Sequence, residues 1–506
     1  MNRIAQLDHK YVWHPFTQMR DWLRREPLVI VSGKGAVLRD IHGRKYLDAN
    51  SSIWTNLHGH SHPKINAAIS RQLKQIAHSS ALGLANEPAS LLAEKLVHAA
   101  NSPLGGHALG CPPPGRPHKQ SRAREQAVYG QLAGTRLEKV FFSDNGSTAL
   151  EVALKLAYEF SRRVKKHKNP KFLSLQGAYH GDTVGAVSLG HIDLFHKSYG
   201  ELLFKTGKAI SPYCYRCPFN RAKPERADAR DTRKCNWECV SKTEQQFVAQ
   251  KKKGNPYAAF VFEPLLQGAA GMIPQPAGWL SRVTEIARSH GALLIADEVM
   301  TGFGRTGVAN DGPSHSNWFA CSRENVQPDF LCLAKGLTGG CLPMAATLTT
   351  PQVFNAFLGR YDEFKSFFHG HSYTGNQLGA AAALANFEIL HGTNSIRARR
   401  QLETDLQREL QSLWQLPAVG DIRQVGLVAG IELVKNWRTR EPFDLRERAG
   451  IRVCETMAAH GVLTRPIGNV IVLMPPYCTT RAQLKRMISV MRESIQTTVG
   501  DEVTSL

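Results

Sequence analysis

At 506 residues, 42% of them hydrophobic, the chain is long enough for two domains around a large core, yet no apolar window approaches the length of a membrane span. The first ten residues carry no apolar stretch that would direct export, and ten cysteines in so long a chain do not make a disulfide framework, so a reducing cytoplasm is expected. The formal charge of +21 would suit a nucleic-acid partner, but the basic residues concentrate at 116–136 and 221–253 without a nucleic-acid-binding signature, and solvated loops are expected there.

The segment from Tyr11 to Met19 is aromatic and broken by Pro15, too irregular for a core strand, so Phe16 belongs to a lid or a pocket wall. Residues 35–48 alternate apolar and polar side chains around Asp40 and Gly43, a hairpin pattern. His58, His60 and His62 follow; with no carboxylate close by in sequence, a turn is expected there and not a metal site. Residues 102–134, rich in Pro, Gly, His and Arg, read as an exposed insertion, bounded at 102–136.

From Val140 the chain reads as strand, glycine turn and helix, which places Gly146, Ser147 and Thr148 where free N–H groups bind phosphate. The two hydroxyls can add to that site, or simply cap the helix. A second strand-to-loop unit ends at Tyr179, which either stacks on a flat ring or packs as a loop tyrosine. Cys214, Cys217, Cys235 and Cys239 are spaced like a structural zinc site, inside a segment (214–253) read as a second insertion loop. A metal-free loop is the alternative, and no metal is assigned. A buried strand then ends in Glu263.

Two further strands carry the chemistry. One, from Gly291, delivers Asp297 ahead of a glycine-punctuated loop; the other, from Phe330, delivers Lys335 ahead of Gly336, Gly339 and Gly340. A buried aspartate is costly unless a cation meets it, and a lysine at a strand's exit can form an imine. A protonated pyridine nitrogen is such a cation, which points to pyridoxal phosphate. Strands alternating with helical patterns over residues 140–350 spell an α/β parallel sheet with crossover helices. Beyond it, Leu402, Leu406 and Leu410 recur every fourth residue, a core-packing face, and Arg465 is either a carboxylate clamp or a surface residue.

The Asp297 and Lys335 stretches resemble the class III aminotransferases, and the motifs at 13–19 and 473–477 resemble a biotin-pathway branch of that family. The resemblance implies fold type I of the PLP-dependent transferases, with pyridoxal 5'-phosphate as cofactor. A large domain (60–390) would hold a mostly parallel central sheet, and a smaller α+β domain would be made from both termini (1–59 and 391–506). It also implies a homodimer with the active site at the subunit interface.

Carried onto this chain, Lys335 is the cofactor-bearing lysine and Asp297 the partner of the ring nitrogen. Gly146 and Ser147 form the phosphate turn, and Tyr179 lies near the cofactor face with a catalytic part. His371 and Ser372 reach the phosphate from the neighbouring subunit, with Gly370 beside the substrate. Phe16, Ile53, Trp54, Tyr179, Lys335 and Arg465 bind substrate, Arg465 through its carboxylate. The implied reaction is transamination of 8-amino-7-oxononanoate to 7,8-diaminononanoate, with S-adenosylmethionine or lysine as amino donor. Phe16 and Ile53 stand where users of S-adenosylmethionine commonly carry tyrosine and tryptophan, which resembles a lysine-using branch. The competing readings are another ω-aminotransferase and, in a different class, a non-catalytic basic RNA-binding scaffold, which would leave the Lys335–Asp297 pair unexplained.

Overall fold

Seven strands form the central sheet of the computed structural model: β1 (Lys139–Ser143), β2 (Lys171–Leu175), β3 (Gly207–Ala209), β4 (Tyr257–Phe262), β5 (Leu293–Asp297), β6 (Phe330–Leu333) and β7 (Ala345–Thr349). Their order is β1-β7-β6-β5-β4-β2-β3, and only β7 runs against its neighbours. The remaining pairs are parallel. The structure describes residues 1–101, 136–228, 230–307 and 318–503, so the insertion read at 102–136 lies outside the described residues except for its last position.

Every residue of β4, β5 and β6 is buried, as strands covered on both faces must be. The two-residue period sorts their side chains between two cores. Phe260, Phe262, Leu294, Ala296, Leu331 and Leu333 enter one. Val261, Ile295 and Cys332 enter the other, against Leu150, Ala153 and Ala157 of the helix Gly146–Arg163. Because β1, β2, β4, β5 and β6 run the same way, the residues that follow them emerge at one edge of the sheet. In open α/β sheets that edge is where ligands bind.

Strands from both ends of the chain share a second sheet. Ile30–Lys34, Val37–Asp40 and Lys45–Asp48 form an antiparallel meander, the hairpin read at 35–48 included, and the C-terminal strand Val462–Leu463 adds to it in parallel. A third sheet joins Val419–Val425, Val428–Asn436, Val470–Leu473 and Pro466–Ile467. Leu402, Leu406 and Leu410 are buried on the helix Thr393–Leu410, the core face their spacing predicts. Among the described residues no helix is long and apolar enough to cross a membrane.

One expectation needs correction. The segment 214–253 is not all loop: Glu238–Lys252 is a helix that buries Cys239, Val240, Thr243 and Phe247. Cys239, Thr243 and Phe247 recur every fourth residue, but the polar residues between them and the lysines at 251–253 make the stretch look like solvated chain.

Candidate active site

The carboxyl edge of the sheet opens into a cavity of about 1240 Å³. Phe16, Ile53, Trp54, Gly146, Ser147 and Tyr179 line it, as do Asp297, Lys335 and Arg465. Each of these is a residue singled out from sequence.

Lys335 leaves β6 with φ 44° and opens a short 3₁₀ turn. Gly340, at the end of that turn, lies so close to the neighbouring chain that a Cβ would fall 2.4 Å from the Thr55 carbonyl oxygen. The Lys335 Nζ stands 4.7 Å from the centroid of the Trp54 ring. Burial draws its pKa below the ordinary lysine range, with Asp297 and Glu263 opposing. An amine held this way is more often neutral, and so more nucleophilic, than one in water.

Asp297 ends β5 and is buried. Its Oδ2 lies 2.8 Å from the Nδ1 of buried His180, and its Oδ1 accepts the Val299 N–H at 3.0 Å. The His180 Nε2 is buried without a hydrogen-bond partner. His180 follows Tyr179 directly in sequence, yet nothing in the sequence reading marked it. Beside this pair, burial pushes the Glu263 carboxyl up to about 7, with His180 opposing and Asp297 adding to the rise. Its oxygens accept the N–H groups of Gly268, at 2.7 Å, and of Tyr179, at 3.4 Å.

The helix Gly146–Arg163 points its start at the cavity, and Asn145, Gly146 and Ser147 line the wall there. Asn145 and Thr148 cap each other reciprocally, so the Thr148 hydroxyl is spent on the cap and is not left for an anion. The cradle is tight: a Cβ on Gly146 would lie 2.7 Å from the Val299 Cγ1, and one on Gly181 2.0 Å from the Ser147 Oγ. Tyr179 donates its hydroxyl to Asp182 at 2.7 Å, and its ring lies parallel to that of His196 at 6.3 Å. Phe16, at φ 49°, meets Phe195 edge-on at 5.3 Å.

A strained turn forms the wall opposite. Ser51, Ser52, Ile53 and Trp54 have φ of 46°, 47°, 63° and 67°, consecutive left-handed residues with no glycine among them. Each such residue costs about 1–2 kcal/mol, so the surroundings must enforce the conformation. Asp48 does most of this. It accepts the Ser52 N–H at 3.0 Å and the Ser52 hydroxyl at 2.9 Å, and it meets the His60 Nε2 at 2.9 Å. The Ser51 hydroxyl is tied to the Met474 carbonyl at 2.6 Å. Asp48 is thus the carboxylate that the sequence reading of the histidine run lacked, and it holds the turn. Among the described residues no group of three or more His, Cys, Asp or Glu side chains is disposed to hold a metal ion; Cys214, Cys217, Cys235 and Cys239 lie near one another, and burial raises the thiols of Cys214 and Cys239.

Gly370, His371 and Ser372 do not line the cavity of their own chain. Gly370 and Ser372 are exposed, and the His371 Nδ1 sits 3.1 Å from Asp144, at the back of the phosphate cradle. The sequence reading also missed Tyr213, Arg216 and Glu432, which line the cavity as well.

The arrangement fits a group with a phosphate, a flat cationic ring and a carbonyl that can join an amine. The helix start would take the phosphate, Asp297 with its His180 support the ring cation, and Lys335 the carbonyl.

Residues 20–495 match the family described as Aminotransferase class-III. An adenosylmethionine-8-amino-7-oxononanoate aminotransferase from Geobacter sulfurreducens is 44% identical over 497 residues, 98% of each chain. The crystal structure of the enzyme of that name from Methanocaldococcus jannaschii is 37% identical, with TM-score 0.81, covering 98% of this chain and 99% of that one. A PLP-bound amine transaminase from an uncultivated Pseudomonas species is 31% identical, with TM-score 0.80, covering 96% and 99%.

Proposed function

Because the chain belongs to the class III aminotransferases, which are PLP-dependent transaminases, we propose that it transaminates 8-amino-7-oxononanoate to 7,8-diaminononanoate in biotin synthesis. The observation that carries this reading is the convergence of Lys335, the Asp297–His180 pair and the helix start at Gly146 on one cavity. When bound, the cofactor supplies an electron sink for the carbanion formed at the amine-bearing carbon.

The chain's own residues do the rest. Lys335 would hold the cofactor through its amine and, when that amine is free, would carry the proton to and from the substrate carbon. Asp297 holds the proton on the ring nitrogen, and His180 fixes the orientation of that carboxylate. The N–H groups at Gly146 and Ser147 hold the phosphate. Trp54, Ile53, Phe16 and Tyr179 exclude water from the reacting carbon, and Arg465 binds the substrate carboxylate. Gly370, His371 and Ser372 serve the site of the neighbouring subunit in a homodimer, which accounts for their position outside the cavity of their own chain. The enzyme works in the cytoplasm.

Two amino donors fit. The names of the relatives favour S-adenosylmethionine. Phe16 and Ile53, in place of tyrosine and tryptophan, favour lysine, and lysine is the donor we infer. The test is to incubate holoenzyme with 8-amino-7-oxononanoate and each donor separately and to identify the product by mass. Formation of 7,8-diaminononanoate with lysine supports the full reading. Formation with S-adenosylmethionine alone removes the donor assignment, and no diamine with either removes the substrate.

A further inference from the structure

Lys335 leaves β6 in the left-handed region, a strained conformation for a residue with a side chain, so its 3₁₀ turn (Lys335–Thr338) must be held from outside. Asn386, on the helix Gln377–His391, supplies that hold. Its Nδ2 donates to the carbonyls of Gly336 and Leu337, each at 2.9 Å, and these are the two residues that follow the lysine. The Gly336 carbonyl also receives the Gly339 N–H at 3.0 Å, whereas among the described residues the Leu337 carbonyl takes no other hydrogen bond. Asn386 and Leu337 are fully buried, so without the amide that carbonyl would be stranded.

The amide needs a partner of its own to stay this way round. With both Nδ2 protons given to carbonyls, its Oδ1 can only accept, and it meets the Nε2 of buried His58 at 2.7 Å. Burial, with His62, Arg399 and Arg305 adding to it and the Asn386 bond opposing, draws the His58 imidazole down to about 3, so the ring is neutral near pH 7. A neutral ring facing an acceptor must carry its proton on Nε2. Turned over, the amide would set its oxygen against two carbonyl oxygens. The tautomer of His58 therefore fixes the amide, and the amide fixes the turn.

The packing leaves this turn little slack. A Cβ on Gly339 would lie 2.8 Å from the Ile65 Cδ1 and 3.4 Å from the His58 Cδ2, and one on Gly336 would lie 3.2 Å from the Leu57 Cδ1. The Leu57 N–H donates to the Gly339 carbonyl at 3.2 Å. The stretch 54–58 thus serves Lys335 twice: the Trp54 ring faces its amine in the cavity, and His58 supports its turn from behind. Neither His58 nor Asn386 lines the cavity. Resting on the transaminase reading, we propose that His58 and Asn386 are positioning residues that set Lys335 for proton transfer, the Nε2–H of His58 orienting the amide that holds the turn.

The test compares Asn386→Leu, His58→Gln and His58→Asn with wild type as holoenzymes. Glutamine can place an amide N–H where the Nε2–H stood; asparagine reaches only the position of Nδ1. The probe is 7,8-diaminononanoate, with hydrogen or deuterium at carbon 7, in a single reverse half-reaction. Asn386→Leu and His58→Asn should slow the half-reaction about 30-fold and raise its deuterium isotope effect, with cofactor affinity and KM within about threefold. His58→Gln should stay within about threefold of wild type on every count. A readout independent of turnover is the pH midpoint of the visible absorbance of the cofactor-loaded protein, which follows the lysine-bound cofactor. It should move by about half a unit or more in Asn386→Leu and His58→Asn and stay in place in His58→Gln. An unchanged rate and midpoint in Asn386→Leu, equal behaviour of the two His58 variants, or losses confined to cofactor affinity and denaturation midpoint would overturn the proposal. Should Asn386→Leu fail to fold, the two His58 variants decide. If the diamine does not react with wild type, the transaminase reading fails, and the absorbance midpoints still decide whether His58 and Asn386 position Lys335.

Discussion

Asp48→Ala tests whether the left-handed turn under Trp54 is held by one buried carboxylate. The substitution strands the Ser52 N–H and hydroxyl, the Asn50 N–H and the His60 ring together. Removing one partner from a buried charged cluster costs about 3–5 kcal/mol. Relaxation of about two of the left-handed residues returns roughly 2–4 kcal/mol. The expected net loss of global stability is thus only about 1 kcal/mol, read from denaturant midpoints. The turn itself moves, and with it the Trp54 ring beside Lys335, so the single-turnover rate should fall about 100-fold.

The pH dependence has a definite sign. Burial would raise Asp48, but its bonds from His60 and Ser52 bring it below the ordinary range. Its contribution is therefore present above the unfolded value of about 3.9 and lost as pH falls through the folded one. Asp48→Ala should flatten that acid limb. A variant that keeps wild-type turnover, or one that loses stability by more than about 4 kcal/mol with an unshifted acid limb, would refute the reasoning.

Gly146→Ala forces a Cβ to 2.7 Å from the Val299 Cγ1 and should weaken cofactor affinity about tenfold, with turnover near wild type once cofactor saturates; titration of apoprotein with pyridoxal phosphate measures this. Glu263, raised to about 7, contributes stability that is full below its unfolded value of about 4.3 and is lost as pH rises through 7. Glu263→Gln should flatten stability across that window, and unchanged curves for the two proteins would count against the assignment.

The parts of the site that the sequence displayed are those where chemistry sits at the end of a buried strand. Asp297 and Lys335 follow an apolar run directly and Gly146 follows one after a short polar turn, so local pattern alone places them at one edge of the sheet. The left-handed turn gave no such sign, because Ser-Ser-Ile-Trp contains no glycine and its conformation is imposed by Asp48 and by Met474, far along the chain. Arg216 and Glu432 lie 216 residues apart and meet only in the folded chain. His180 was hidden for a different reason: its partner Asp297 lies 117 residues on, so the loop around Tyr179 looked complete without it. Gly370, His371 and Ser372 mark the limit of reading one chain, since their proposed target is a second copy.

The most direct test of the account is borohydride reduction of the cofactor-loaded protein followed by peptide mass mapping. A pyridoxyl group fixed on the peptide carrying Lys335, and absent from the Lys335→Ala protein, is the predicted result. A label on a different lysine, or none on a protein that binds the cofactor, would contradict it.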